Sequence, residues 1–315
     1  MRLRAARRAC WRPAYSLLLG SSILWAGSVA MAQSGDASST TAIRNVYWQP
    51  DTVQQGSPML ITVEMERPAV RVTGTLAGKR LTFIRRDKPR MWYALAGIDL
   101  NTQPGSYDLH VAATLRVGRV ARSVKSVDVA AANFGEGSVQ VPEDYVNPNP
   151  DEQKQIAHDE VLKKRAFAHL VPRALWEGDF LHPVDAESTP SFGETRLLNE
   201  ERTSRHLGTD YPVKEGTPVV AANTGIVVLA AALYYEGNCV IVDHGDRFFT
   251  IYMHLKRMDV RFGQRIGKGK QIGLSGDTGR VTGPHMHLGV RWNGAYLDPV
   301  ELLKLTLPEG PRGSR

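Results

Sequence analysis

The sequence predicts a mainly β protein in which two strand-rich regions are joined by one helix. Short runs of β-branched and aromatic residues, broken by Gly and Pro, fill residues 43–130 and again residues 176–305. Only the stretch between them is rich in helix-forming residues with helical spacing of apolar positions. The chain has 315 residues, with 42% hydrophobic and 23% charged side chains, which is a globular composition long enough for two domains.

The first region, residues 43–130, predicts an immunoglobulin-like β-sandwich. Runs such as LITVEM (60–65), MWYALAGIDL (91–100) and SYDLHVAATL (106–115) read as strands. Gly74, Gly78 and Pro104-Gly105 are interpreted as breaks between strands. Short, evenly spaced strands with turn signals are typical of a sandwich. The isolated His110 is interpreted as an ordinary strand residue.

Residues 131–175 predict a linker followed by a connecting helix. The Gly/Pro-rich stretch GEGSVQVPEDYVNPNP (135–150) has the composition of a linker, and residues 151–170 carry helix formers. Acidic residues at the start of this helix and Lys/Arg later in it suit the helix dipole. Residues 306–315 are predicted to be a tail.

The first 32 residues predict a secretory signal peptide. Five arginines precede an apolar run over residues 17–29, and Ala30-Met31-Ala32 resembles a cleavage site. An uncleaved anchor is the alternative, but the apolar run is short for a bilayer span. We therefore expect no stable membrane span after cleavage.

Charge, cysteine content and loop motifs argue against a nucleic-acid-binding, cysteine-dependent or nucleotide-binding protein. Removing the signal lowers the formal charge from +7 to +2, so we infer no nucleic-acid partner from the basic balance. Cleavage would also remove Cys10 and leave Cys239, which lies in an apolar run and is interpreted as a buried small hydrophobe. The Gly269-Lys270 pair is followed by Gln271 rather than Ser or Thr, so it does not form a phosphate-binding loop.

Five polar residues of the second region form a candidate metal and catalytic set. The first two form an H-x-x-x-D, the third ends an apolar strand, and the last two form an H-x-H: His206, Asp210, His254, His285 and His287. Each pattern is weak alone, and a set of satisfied strand-end residues is the alternative. Their occurrence together in one β region favours a metal site.

Strand geometry favours an open, catalytic site. Because residues i and i+2 of a strand share a face, His285 and His287 project together while Met286 points into packing. Two histidines and one aspartate would give three ligands and leave a position for water, as in catalytic zinc sites. His206, Asp210 and one histidine of the pair would be these ligands, with the other histidines close by and unligated. His182 and His244 are interpreted as structural.

The motifs SRHLGTDY, YMHL and TGRVTGPHMHLGV resemble those of the lysostaphin-type (LytM-type) zinc endopeptidases. FGETR at 192–196 and TPVVAANTGIVV after the first ligand are also similar to this family. The resemblance covers residues 180–300 and implies a small antiparallel β-sheet peptidase domain with a groove that cuts peptide cross-links of peptidoglycan.

The resemblance also implies a role for each residue. His206, Asp210 and His287 would hold one Zn²⁺ per chain. His285 would act on the water or the transition state, with His254 as its partner. We further expect Tyr234, Tyr235 and Arg280 to line a substrate groove.

The order of signal, sandwich, helix and peptidase domain resembles exported Gram-negative envelope members of the family. It implies secretion across the inner membrane into the periplasm or cell envelope, with peptidoglycan as partner and an envelope regulatory protein as a further candidate. Two alternatives stay open. One is a non-catalytic envelope protein that binds cell wall or activates an amidase, against which the complete ligand set argues. The other is a zinc hydrolase that acts on a protein outside the wall.

Overall fold

The computed structural model describes residues 42–86, 88–116 and 118–310, and it is mainly β, as the sequence predicts. The predicted signal peptide lies outside the described residues. No helix in the described ranges is long and apolar enough to cross a membrane.

The first region consists of two β-sheets. Their strands are β1 (Ile43–Gln49), β2 (Val53–Gln54), β3 (Pro58–Met65), β4 (Ala69–Leu76), β5 (Lys79–Thr82), β6 (Ile84–Arg85), β7 (Met91–Gly97), β8 (Gly105–Leu115) and β9 (Val120–Ala130). One sheet has the order β1-β3-β7-β6 and the other β2-β9-β8-β4-β5. Buried apolar residues of both sheets belong to one core, an arrangement that agrees with the predicted β-sandwich.

The predicted linker contributes a strand. β10 (Glu136–Val139) pairs in parallel with β11 (Thr195–Leu198), which pairs with β12 (Arg202–Arg205). A 3-10 turn, Glu143–Tyr145, follows. The Gly/Pro-rich composition pointed to a loop because a single short strand carries no periodic pattern of its own. Its hydrogen bonds come from a partner strand almost sixty residues away, which composition cannot indicate.

The connecting helix α1 spans Pro150–Ala168. It begins at a capping box, in which the Asn149 side chain accepts from the backbone amide of Glu152 and the Glu152 carboxylate accepts from the amide of Asn149. Phe167 packs on Phe249 with ring centroids 5.4 Å apart, so the end of α1 is fixed to the sheet that follows.

The second region is built on a nine-stranded antiparallel sheet. Its central order is β13-β20-β17-β16-β15-β18. The strands are β13 (Gly208–Tyr211), β14 (Pro218–Val220), β15 (Gly225–Leu233), β16 (Gly237–Asp243), β17 (Phe248–Met258), β18 (Arg265–Ile266), β19 (Gln271–Ser275), β20 (Met286–Trp292) and β21 (Ala295–Leu297). A short helix, α2 (Pro299–Lys304), follows them.

Residues from both strand-rich regions form one continuous hydrophobic core. Strand β3 is buried along almost its whole length, and it contacts the helix that follows β21. A Cβ added at Gly97 would lie 2.4 Å from a Leu297 methyl carbon, so β7 and β21 approach as closely as a glycine permits. The start of the predicted tail belongs to this core through Leu307. The predicted domain boundaries stay predictions.

We expect Leu297→Ala to lower the free energy of unfolding by about 2–5 kcal/mol, because it leaves a cavity where the two regions meet. Urea denaturation of the full chain would measure this. The control is Leu170→Ala, whose side chain is 51% exposed and which should change stability by less than about 0.5 kcal/mol. Equal effects of the two substitutions would contradict the shared core.

Candidate active site

The register of two neighbouring strands brings Asp210 and His287 together. Strands β13 and β20 are antiparallel with Asp210 directly opposite His287, and His287 Nδ1 lies 2.8 Å from Asp210 Oδ1. Met286, next along β20, is fully buried in the core. The alternation predicted from the H-x-H is therefore present in the structure.

His206 completes a three-residue cluster. Its Nε2 lies 2.9 Å from His287 Nδ1 and 3.2 Å from Asp210 Oδ1. Its Nδ1 is 2.9 Å from the Ser191 carbonyl oxygen. Because a carbonyl only accepts, His206 Nδ1 carries the proton and Nε2 presents a lone pair to the cluster. The ligand atoms of His206, Asp210 and His287 all lie within 4.8 Å of one another.

This donor set fits a divalent transition metal. Bond lengths of about 2.0–2.2 Å would place tetrahedral neighbours roughly 3.3 Å apart, close to the separations observed. Burial alone would raise the pKa of Asp210, but its contacts with His206 and His287 outweigh burial and lower the pKa, so the carboxylate is ionised. Two imidazoles and one carboxylate, with a fourth position left open, match catalytic rather than structural metal sites.

Close packing places the His287 ring. A Cβ added at Gly208 would lie 2.4 Å from His287 Nε2, so a side chain here would displace the imidazole. Burial, partly opposed by Asp210, lowers the pKa of His287 to about 4, which keeps the ring neutral and able to act as a ligand at neutral pH.

His285 lies beside the cluster. Its Nε2 is 3.6 Å from Asp210 Oδ1, too far for a hydrogen bond. Its Nδ1 lies 2.9 Å from the carbonyl oxygen of Gly283, which fixes the proton on that nitrogen and leaves Nε2 as an acceptor. The ring is partly accessible, with 19% of the side chain exposed.

His254 is aimed at the site by a β-bulge rather than by a strand end. Strand β17 carries one extra residue opposite β16 at this point, and His254 has φ +61°, a left-handed conformation. Its Nδ1 lies 2.9 Å from the Thr278 carbonyl oxygen, and its ring centroid is 4.8 Å from that of His285. Burial and the neighbouring histidines lower the pKa of His254 to about 3, so the imidazole is neutral at neutral pH.

Arg196 is a further site residue to which the sequence analysis assigned no role. Its Nε donates to Glu194 Oε2 at 2.6 Å and its Nη2 donates to Asp210 Oδ2 at 3.1 Å. The guanidinium therefore holds the carboxylate oxygen that does not face the two histidines. The only sequence signal was its place in FGETR, shortly before the H-x-x-x-D.

The cluster lies in a groove of about 680 Å³. The groove is lined by the five predicted residues together with β11, β12 and the loop before β20. Val139 and Val141, from the predicted linker, form part of its wall. Tyr235 and Arg280 line it. Tyr234 is not among the described residues of the lining, because its hydroxyl donates to the Asp144 carbonyl at 2.8 Å.

The remaining histidines and the cysteine agree with their structural interpretation. His244 is fully buried, with Nδ1 2.8 Å from the Thr224 carbonyl oxygen and Nε2 2.7 Å from Thr250 Oγ1. His182 is exposed and packs edge-on against Tyr211. Cys239 is buried, and burial raises the pKa of its thiol.

Comparison with known proteins identifies this region. Residues 204–299 match the model of Peptidase family M23, so this part of the chain is an M23 peptidase domain, as the motifs indicated. The chain is 39% identical over 130 residues to the peptidoglycan DD-endopeptidase ShyA of Vibrio cholerae and 36% identical over 129 residues to ShyC of the same organism. Each match covers 40% of this chain and 30% of the relative, so the chain spans about a third of the length of these curated relatives.

A solved structure resembles this chain over most of its length. A crystal structure from Pseudomonas aeruginosa, whose description names peptidase M23, superimposes with a TM-score of 0.61 at 27% sequence identity. The match covers 80% of this chain and 96% of that protein. The likeness therefore extends beyond the peptidase domain.

We expect Arg196→Gln to weaken binding of a divalent transition metal by roughly 10- to 100-fold, because Asp210 loses the group that orients it. Titration of the metal-free chain with Co²⁺, followed by visible absorption, would measure the affinity. Arg202→Gln is the matched control, since Arg202 donates to the Val146 carbonyl and does not contact Asp210. Unchanged Co²⁺ affinity in Arg196→Gln would contradict this role.

Proposed function

We propose that this chain is a zinc-dependent endopeptidase that hydrolyses the peptide cross-links of bacterial peptidoglycan. The observation that carries the proposal is the convergence of His206, Asp210 and His287 within 4.8 Å in a groove, with the Nε2 atoms of two further histidines left without a hydrogen-bond partner among the described residues. Ligands and proton-transfer groups are thus separate residues in one site.

His206, Asp210 and His287 would hold the metal. When bound, Zn²⁺ would supply a Lewis acid that polarises the peptide carbonyl and acidifies a water molecule. Arg196 orients Asp210 through its hydrogen bond to Oδ2, and the carbonyl of Ser191 keeps His206 in the tautomer that presents Nε2. These contacts fix the site before substrate arrives.

His285 and His254 would move protons and stabilise charge during hydrolysis. His285 Nε2 is an acceptor facing the cluster, so it can take a proton from the attacking water and return it to the leaving amine. Once His285 holds the proton of the water, its positive charge would stabilise the oxygen that gains negative charge, and His254 lies against it as its partner. Backbone carbonyls hold both rings through Nδ1, so neither imidazole has to reorient during the reaction.

The substrate assignment rests on the groove and on the relatives. A groove of about 680 Å³ that is open to solvent and lined by strands suits an extended peptide. ShyA and ShyC are named peptidoglycan DD-endopeptidases, and both resemble this chain over the segment that holds the site. The basic, apolar and small-residue order of residues 1–32 supports export to the periplasm or cell envelope, where the wall lies.

Digestion of purified sacculi tests the proposal. We expect the zinc-loaded full chain to release peptides with new amino and carboxyl ends, detected by mass spectrometry, and a chelator to stop the release. His287→Ala should abolish both zinc binding and cleavage. His110→Ala, a change at an exposed histidine of the sandwich, should leave both intact.

The same experiment separates the alternative. Absence of new peptide ends with the zinc-loaded wild type would contradict the endopeptidase assignment. A cellular phenotype that His287→Ala fully restores would favour a non-catalytic envelope protein, such as an amidase activator. Cleavage of protein substrates but not of sacculi would favour a zinc hydrolase acting outside the wall.

We expect His285→Ala to retain about one zinc per chain and to lose roughly 10²- to 10⁴-fold in kcat, because it removes a proton-transfer group and no ligand. Zinc content by mass spectrometry and the rate of sacculus digestion would be measured on one preparation. Loss of zinc in this variant would show that His285 is a ligand, against the assignment made here.

A further inference from the structure

The loop between β19 and β20 carries an arginine between two groups that position the catalytic histidines. The Thr278 carbonyl holds His254, and the Gly283 carbonyl holds His285. Arg280 lies between them in sequence and lines the same groove. Its position is therefore tied to the geometry of the reacting centre.

Backbone contacts fix Arg280 from the opposite side of the groove wall. Its amide donates to the Tyr235 carbonyl at 2.9 Å. A Cβ added at Gly279, which has φ +79°, would lie 2.3 Å from the Gly237 nitrogen, so the two loops touch through backbone atoms. The Arg280 guanidinium carbon lies 4.6 Å from the centroid of the Tyr235 ring. Stacking of this kind holds an arginine in place while leaving its edge available for hydrogen bonds.

Arg280 has no carboxylate partner among the described residues. Its side chain stacks on the Tyr235 ring and donates a hydrogen bond of 3.4 Å to Ser204 Oγ. The acids around it are engaged elsewhere, since Glu236 pairs with Lys163 of α1 at 2.5 Å and Glu194 pairs with Arg196. A half-buried guanidinium that no carboxylate contacts directly can bind the anionic group of a ligand.

The surroundings of Arg280 are positive. Burial lowers the pKa of its guanidinium, and the positive charges of Arg202 and Arg196 lower it further. Tyr235 and Glu236 act in the opposite direction and raise this pKa. Arg205 lines the groove as well, stacked on Phe134. Strand β12 and the loop before β20 thus give one side of the groove a positive potential, which favours an anionic ligand.

We propose that Arg280 binds a free carboxylate of the peptide substrate and makes the enzyme selective for peptides that carry one near the scissile bond. This inference rests on the proposed peptidase function and specifies its substrate class. The planar guanidinium, stacked on Tyr235, presents N–H groups in the geometry that binds a carboxylate in two places. Both a C-terminal and a side-chain carboxylate have this chemistry.

Three forms of one cross-linked peptide isolated from sacculi distinguish the sources. The first keeps all carboxylates, the second has the C-terminal carboxylate converted to the amide, and the third has the side-chain carboxylates converted to amides. The zinc-loaded full chain is compared with Arg280→Gln, Arg280→Lys and the control Arg261→Gln, which changes an exposed arginine outside the groove. Zinc content and melting temperature are measured for every variant.

We expect wild type to prefer the free peptide by roughly 10- to 100-fold in kcat/KM over one of the amides, the range of a charge-assisted hydrogen bond. Arg280→Gln should raise KM for the free peptide with little change in kcat and should cleave all three forms at similar rates. Arg280→Lys should keep part of the preference, because the charge remains without the planar fork. Arg261→Gln should behave as wild type.

Two results would overturn the inference while the peptidase function stands. One is equal cleavage of all three peptides by wild type, and the other is a preference that Arg280→Gln retains with normal zinc content. A purely structural role would lower cleavage of all three forms equally and leave the preference unchanged, which also counts against it. If wild type cleaves neither these peptides nor sacculi, the proposed function and this inference both fail.

Discussion

The pairing of β13 with β20 is the constraint on which the site depends. The register places Asp210 opposite His287, and the same β20 is held on its other edge by β17, where Met253 lies opposite His287. A slip of one residue would turn His287 into the core and Met286 into the groove. The buried side chains of Met286 and Leu288 resist that slip, so the hydrophobic core sets the position of the ligands.

Backbone carbonyls determine which ring nitrogen each histidine presents to the groove. His206, His254 and His285 each place Nδ1 about 2.9 Å from a carbonyl oxygen, and each therefore presents Nε2 to the groove. His287 differs, since it faces Asp210 through Nδ1. The loops that supply these carbonyls are part of the site, and Arg280 belongs to one of them.

Strand alternation made part of this predictable from sequence. The H-x-H placed His285 and His287 on one face, and the five polar residues of the set do converge.

The bulge at His254 was not predictable, because a local sequence does not show whether a strand ends or gains a residue. Gly74 was interpreted as a break between strands, but it lies inside strand β4. A Cβ there would lie 2.5 Å from the His110 carbonyl oxygen, so the glycine serves close strand packing. The role of Arg196 depends on Asp210, fourteen residues away, and only folding brings them together.

The division between ligands and proton-transfer groups is tested most directly by X-ray absorption at the zinc edge on the zinc-loaded chain. The account predicts a first shell of nitrogen and oxygen atoms at about 2.0–2.2 Å with two imidazoles and no sulfur. It also predicts that the spectrum of His285→Ala keeps both imidazoles, while His206→Ala loses one. A shell with three imidazoles in the wild type, one of them lost in His285→Ala, would contradict the account.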